Sequence, residues 1–438
     1  MNRPLTNTVR AVGCAFLTLM LGSTTVLAHA MPHWIATWQS NPAGERGAPG
    51  SFPMPPSILL QGTLRYRVRV SAGGGSVRLR FSNEYARAPL QITAASVALA
   101  GIGLDAVPGS MHAVTFGGEP SLTLPGGAPA LSDPVPMAIH PLQDLIVSVY
   151  VAAGVQQTEC HAPLLTRPDE VGIEGQNATK TAHLNRSRCL FSRPLISEVD
   201  VRTNRHVNVI AAFGDSITDG SIDPVTGDRG WPGTLSRLLV GARRSVVNDG
   251  IAGNRLLVSL PLFGASGLAR LDRDVLAVPG VRTLIVLEGI NDIGASGHSR
   301  FFPASPLVQA SALIAAYEQI IARAHEHGIR VWGCTLLPFE GAFYYSAAKE
   351  RVRRAVNAWI RRSGRFDGVI DLDAVMRDPT HPQRLRRDFD SGDHLHPNAA
   401  GFRAMAAAIA PRLVRSSPIG RPAALPVAGF SSTQIAHQ

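Results

Sequence analysis

Residues 207–213, Val-Asn-Val-Ile-Ala-Ala-Phe, form a nearly unbroken apolar run that stops at Gly214-Asp215-Ser216. A run of this kind has to be buried on both faces, which is the condition of a central strand in a parallel sheet. Four further short runs follow at 245–248, 283–288, 330–335 and 368–371. Helical periodicity falls at 231–239, 309–327, 347–363 and 398–410. This alternation predicts an α/β domain over residues 205–415, a parallel sheet with helices on both faces. Ligands of such sheets bind outside the carboxyl ends of the strands, which is where Ser216 stands.

Residues 31–200 read differently. Leu64, Tyr66, Val68 and Val70 alternate with Arg65, Arg67 and Arg69. After Ala72-Gly73-Gly74-Gly75, Val77, Leu79 and Phe81 alternate with Arg78 and Arg80. A period of two on either side of a glycine turn predicts a hairpin with one buried face and one arginine-covered face. Further strands at 92–99 and 145–151, Gly/Pro-rich connections such as 124–127, and the lack of helical period suggest a β-sandwich-like domain. Residues 416–438 are rich in Pro, Ser and Ala and are expected to be a flexible tail.

The formal charge of +10 rests almost wholly on arginine, since Lys180 and Lys349 are the only lysines. These arginines are scattered or alternate along strands, so no nucleic-acid partner is expected. The composition, 45% hydrophobic and 17% charged, suits a globular chain and argues against disorder. Residues 1–30 read as a signal peptide: Arg3 and Arg10, an apolar stretch at 11–27, then Ala28-His29-Ala30. That stretch is short for a spanning helix and holds Gly13, Thr18 and Gly22, so a retained membrane anchor is the weaker reading. The protein is therefore expected to be secreted or periplasmic. Export permits disulfides. Cys160 and Cys189 could close a loop, or stay with Cys334 as unpaired thiols, and spacing does not choose between these. With no Cys-x-x-Cys or His-Glu-x-x-His pattern, neither a metal nor another cofactor is expected.

Three segments after Ser216 complete a chemical set: Gly250-Ile251-Ala252-Gly253-Asn254, Gly289-Ile290-Asn291-Asp292 and Asp393-His394-Leu395-His396-Pro397. A lone strand-end serine is usually a helix cap. A serine hydroxyl becomes a nucleophile only beside a base, and His396 is the candidate. Asp393, three residues earlier, can reach its Nδ1 through a tight loop. His394 is the rival, with Asp390 nearby. Oxyanion donors are expected from the amides of Ser216 and Gly253 and from the Asn291 side chain. Asp215, Asn254 and Asp292 are expected to support these loops by hydrogen bonds.

These blocks resemble those of the SGNH/GDSL hydrolases, whose Ser, Gly, Asn and His fall on Ser216, Gly253, Asn291 and His396, with the family's acid on Asp393. Ile217 stands where the motif has leucine. The resemblance implies a flavodoxin-like three-layer fold and a serine esterase that hydrolyses carboxylic esters through an acyl-enzyme. The segment 79–85, Leu-Arg-Phe-Ser-Asn-Glu-Tyr, is similar to the front domain of the secreted XynE-like branch. Small-molecule or glycan esters with short acyl groups are the expected substrates, met by a rim at 265–270, 298–306 and 339–345. A lipase- or lysophospholipase-like acylhydrolase is one alternative, and a non-catalytic carbohydrate-binding protein another. An α/β-hydrolase fits worse, because no Gly-x-Ser-x-Gly elbow occurs.

Overall fold

A computed structural model describes residues 31–41, 57–158, 170–184, 188–189, 195–220, 230–260, 263–297 and 305–415. The expected signal peptide and tail, and the side chains of Cys160 and Cys189, lie outside the described residues.

The amino-terminal part holds β1 (His33–Gln39), β2 (Ser57–Arg69), β3 (Gly74–Ser82), β4 (Leu90–Ile92), β5 (Ala94–Leu99), β6 (His112–Val114), β7 (Leu122–Leu124), β8 (Pro129–Leu131), β9 (Val135–Ile139), β10 (Asp144–Thr158), β11 (Glu170–Glu174), β12 (Arg188–Cys189) and β13 (Ile196–Thr203). One antiparallel sheet runs β1-β13-β3-β8, with β9 also on β3. A second runs β12-β11-β2-β10-β5-β6, and β4 with β7 makes a small ribbon.

The hairpin expected at 64–81 does not form. β2 pairs with β10 and β11, whereas β3 pairs with β13, β8 and β9, so the glycine turn carries the chain from one sheet to the other. The period of two is real, but its partners are remote. Arg67 and Arg69 both bond Asp144 on β10. Arg78 and Arg80 bond Asp200 and Glu198 on β13. Arg67, Arg69, Arg78 and Arg80 thus meet acids far along the chain, and Arg65, fully buried, is held instead by Ser148 Oγ and the carbonyls of Ala178 and Thr181, none of which a local pattern can reveal. The apolar faces of β2 and β3 are buried in one sandwich-like core.

The carboxyl-terminal part holds β14 (Asn208–Gly214), α1 (Ser216–Asp219), α2 (Gly230–Leu238), β15 (Arg244–Gly250), α3 (Gly267–Leu271) continuing into a π-helical turn (Asp272–Leu276), β16 (Val281–Leu287), α4 (Ile290–Ala295), α5 (Ala310–Glu326), β17 (Arg330–Cys334), α6 (Ala347–Arg362), β18 (Gly368–Ile370), α7 (Leu372–Met376) and α8 (Ala399–Arg415). The sheet is parallel throughout, in the order β15-β14-β16-β17-β18. Numbered within the sheet this is 2-1-3-4-5, the flavodoxin-like order, whose ligand crevice lies where the winding reverses, beside the first strand. Every residue of β14 is buried, as its apolar run requires. Among the described residues, no helix is long and apolar enough to cross a membrane.

The two parts share one contiguous core, with β1 as the seam. The Ala36 amide donates to Pro279 O at 2.9 Å, and Ser245 Oγ donates to Ala36 O at 2.7 Å. Gln39 Nε2 donates to Asp274 O, and Asn41 Nδ2 to Asp249 Oδ1, both from buried side chains. Buried polar pairs of this kind are costly to separate, because each partner would be left dry and unpaired.

Candidate active site

Three consecutive strands of the sheet deliver the first three sequence blocks to one edge. β14 ends at Gly214, and Asp215 caps α1 by accepting from the Ile217 amide at 3.0 Å. Ser216 is the first residue of that helix and half-buried. Its Oγ lies 2.8 Å from His396 Nε2. His396 Nδ1 lies 2.6 Å from Asp393 Oδ2. With Nδ1–H donating to the carboxylate, Nε2 is the acceptor for the serine proton.

The 388–398 loop explains how three residues suffice. Asp393 Oδ1 accepts from the amides of Leu395 and His396 and from Ser391 Oγ. Asn398 Nδ2 donates to Asp388 O and Asp390 O while its Oδ1 caps α8 through the amides of Ala400 and Gly401. Partial burial pushes Asp393 up, but the hydrogen bond and charge of His396 and the two amides hold it well below the usual carboxylate range. His394 is in the left-handed region at φ 63° and its Nδ1 lies 2.7 Å from Asp390 Oδ2, a separate pair from the one at Ser216.

On the other side stands Gly253, after β15, at φ +75°. A Cβ there would lie 2.2 Å from Phe263 Cδ1, so only glycine fits this turn. Among the described residues, neither the Gly253 nor the Ser216 amide has an acceptor. Asn291, second in α4, donates through Nδ2 to Asn254 O at 3.0 Å, and its Oδ1 accepts from Tyr344 OH at 3.3 Å. Those two contacts fix which way the amide faces and leave one N–H for another oxygen.

Asp292 spends both oxygens on the amides of Leu256 and Leu257. Burial pushes it up to about 6 against those amides, and pushes Asp215 up to about 7 against the Ile217 amide and the His396 charge. Asn254 Nδ2 donates to Phe263 O and Ala265 O, and its Oδ1 accepts from Arg270 Nε at 2.9 Å.

Arg270 is not part of the rim expected at 265–270. It is fully buried beneath it, stacked 3.9 Å from the Phe213 ring. Its guanidinium also donates to Gly214 O, Asp249 O and Asp274 Oδ2, tying β14, β15 and the π-helical turn together. Its local sequence offers only the i, i+4 pair with Asp274, and its remaining partners come from remote elements. In the segment 339–345, Phe339 and Tyr344 are likewise buried, and Phe343 is exposed. The rim stretch at 298–304 lies outside the described residues. Among the described residues, no group of three or more His, Cys, Asp or Glu side chains is placed to hold a metal ion.

No curated protein matches the sequence. Among solved structures, an aryl esterase from M. smegmatis is 15% identical, with 47% of this chain and 98% of that chain covered at a TM-score of 0.38. A carbohydrate acetylesterase from Sinorhizobium meliloti is 16% identical, covering 47% of this chain and 98% of its own at 0.36. An acetyl xylan esterase is 20% identical, covering 47% and 99% at 0.36. Residues 212–404 match the GDSL-like Lipase/Acylhydrolase family. That span runs from the end of β14 through the start of α8 and takes in every block described above, so the chain carries a GDSL-like lipase/acylhydrolase domain.

Proposed function

We propose that the protein is an exported serine esterase acting on carboxylic esters with short acyl groups, including those on sugars. The supporting observation is the relay from Asp393 through His396 to Ser216, with contacts of 2.6 and 2.8 Å. Ser216 Oγ attacks the ester carbonyl while His396 Nε2 takes its proton. The oxyanion accepts from the amides of Ser216 and Gly253 and from Asn291 Nδ2. As the tetrahedral intermediate collapses, His396 returns the proton to the departing alcohol and an acyl-enzyme remains. Water, deprotonated by His396, then releases the acid and restores Ser216. Asp393 stays ionised throughout and stabilises the imidazolium.

Short acyl groups suit a rim where exposed Phe343 and half-buried Tyr345 flank the buried Tyr344, since aromatic faces and polar edges fit a sugar ring. Export rests on residues 1–30. Ser216→Ala should remove hydrolysis of p-nitrophenyl acetate with no loss of thermal stability, and an organophosphonate should label Ser216 alone. Near-parental turnover by Ser216→Ala overturns the reading.

A further inference from the structure

We propose that Tyr85, contributed by the amino-terminal β-region, is a positioning residue for the oxyanion donors, so that this region completes the active site of the hydrolase domain. The proposal rests on the esterase reading above.

The Tyr85 oxygen accepts from the Ala265 amide at 3.2 Å and from Arg273 Nη1 at 3.2 Å. Each contact starts a route, and both routes end on the side chain of Asn254. Along the first, Ala265 O accepts from Asn254 Nδ2 at 2.8 Å, beside Phe263 O at 2.6 Å. Along the second, Arg273 pairs with Asp274, Asp274 Oδ2 accepts from Arg270 Nη1 at 3.1 Å, and Arg270 Nε donates to Asn254 Oδ1 at 2.9 Å. Asn254 is then held at both ends of its amide. Its backbone oxygen is the acceptor that orients Asn291 Nδ2, and its neighbour Gly253 packs on Phe263.

The rim segment 263–265 therefore sits between a strut from another part of the chain and two of the three oxyanion donors, the Gly253 amide and Asn291 Nδ2. Glu84 adds to the same strut, at 3.9 Å from Arg273. The Arg273 guanidinium lies 5.3 Å from the centre of the Tyr85 ring, which keeps the phenol aimed at the π-helical turn. Oxyanion stabilisation depends on donors fixed before charge develops, so a small relaxation of the 253–254 turn costs rate while leaving substrate affinity in place.

The test uses the full chain with Tyr85→Phe, which keeps the ring and removes the oxygen. On p-nitrophenyl acetate, kcat should fall about tenfold, one weakened donor set, with KM within twofold. Affinity for phenylboronic acid, a mimic of the tetrahedral adduct, should fall by the same factor, and the melting temperature should hold. A coupling of this kind is demonstrated by a double-mutant cycle. In an Asn291→Ala background, which already lacks the side-chain donor, the cost of Tyr85→Phe should shrink to threefold or less. Parental kcat in Tyr85→Phe, a loss confined to KM, or a tenfold loss undiminished beside Asn291→Ala each overturn the inference. In the first two cases a dead Ser216→Ala control leaves the esterase reading standing, whereas an inactive parent overturns both.

Discussion

Replacing Arg270 with methionine keeps the length and apolar stem of the side chain and removes its charge and all its donors. The Arg270 side chain is fully buried, and four acceptors depend on it: Gly214 O, Asp249 O, Asn254 Oδ1 and, at 3.5 Å, Glu288 Oε2. A buried acceptor left unpaired costs about 1–3 kcal/mol, and Gly214 O, which keeps the Ile251 amide, belongs at the low end. The loss of a buried charge partner brings the total to about 3–5 kcal/mol. At roughly 2–4 °C per kcal/mol, melting should fall by about 6–20 °C.

The penalty should also depend on pH, and in one direction. Burial pushes Asp249 and Glu288 well above the ordinary carboxylate range and Asp215 to about 7, and in all three the Arg270 charge pulls back. Without it they rise further. A carboxyl raised in the folded state keeps its proton where the unfolded chain has lost its own. Its stability is thus full below the unfolded value and is lost as pH rises through the folded one. Parent and variant therefore part company only where the parent begins to ionise, above about pH 6. From there the gap widens by up to about 1.4 kcal/mol per pH unit for each carboxyl involved. Thermal melts of both proteins at pH 6 and pH 8.5 measure the two parts separately. A drop under about 2 °C at pH 6 would refute the count of orphaned acceptors. An equal drop at both pH values would refute the electrostatic part.

The catalytic groups give sharper contrasts. Asn291→Ala should lower kcat about 100- to 1000-fold on p-nitrophenyl acetate with little change in KM; a rise in KM alone would make it a substrate-binding group. Asp393→Asn should cost about 10,000-fold in kcat through the wrong imidazole tautomer, while Asp390→Asn, whose side chain bonds the His394 ring and the amides of Gly392 and His394 but neither His396 nor Ser216, should stay within a few-fold. The reverse order of damage would mean that His394 is the base. Rates across p-nitrophenyl acetate, butyrate, octanoate and palmitate should fall with chain length, and a steady climb would favour the lysophospholipase-like alternative.

The sheet and the first three site blocks were legible for one reason: each of those blocks directly follows a short apolar run, so sequence order alone places it at a strand's carboxyl end, whereas the His396 block lies in a loop well beyond β18 and was legible only from its own residues. The long helices were legible too, since α5 and α6 carry a full apolar period and end within a residue or two of the expected bounds. The short helices α1, α3 and α4 were not, because four to six residues hold too little period to read, and these are the elements that seat Ser216, Arg270 and Asn291. The false hairpin, the placing of Arg270 and Tyr344 on the rim, and the unassigned role of Tyr85 share another cause. Their partners lie on other elements, and the alternation of Arg65 to Arg69 looks the same whether its acid is on the next strand or on β10.

A division among the carboxyls shows why one acid rather than its neighbours can serve His396. Asp215 and Asp393 both feel the charge of that imidazole. Asp215 is wholly buried and gives an oxygen to the turn that bears Ser216, so its ionised form is disfavoured until about pH 7. Asp292 is spent on two backbone amides, and burial carries it to about 6. Asp393 sits on the open side of the loop, half-exposed, with its charge supported by the imidazole and by the amides of Leu395 and His396. Carboxyls driven apart in this way take different tasks. The buried ones stay protonated over much of the acid range and hold loops without competing for the proton. The exposed one is ionised at all working pH values and can meet an imidazolium the moment it forms.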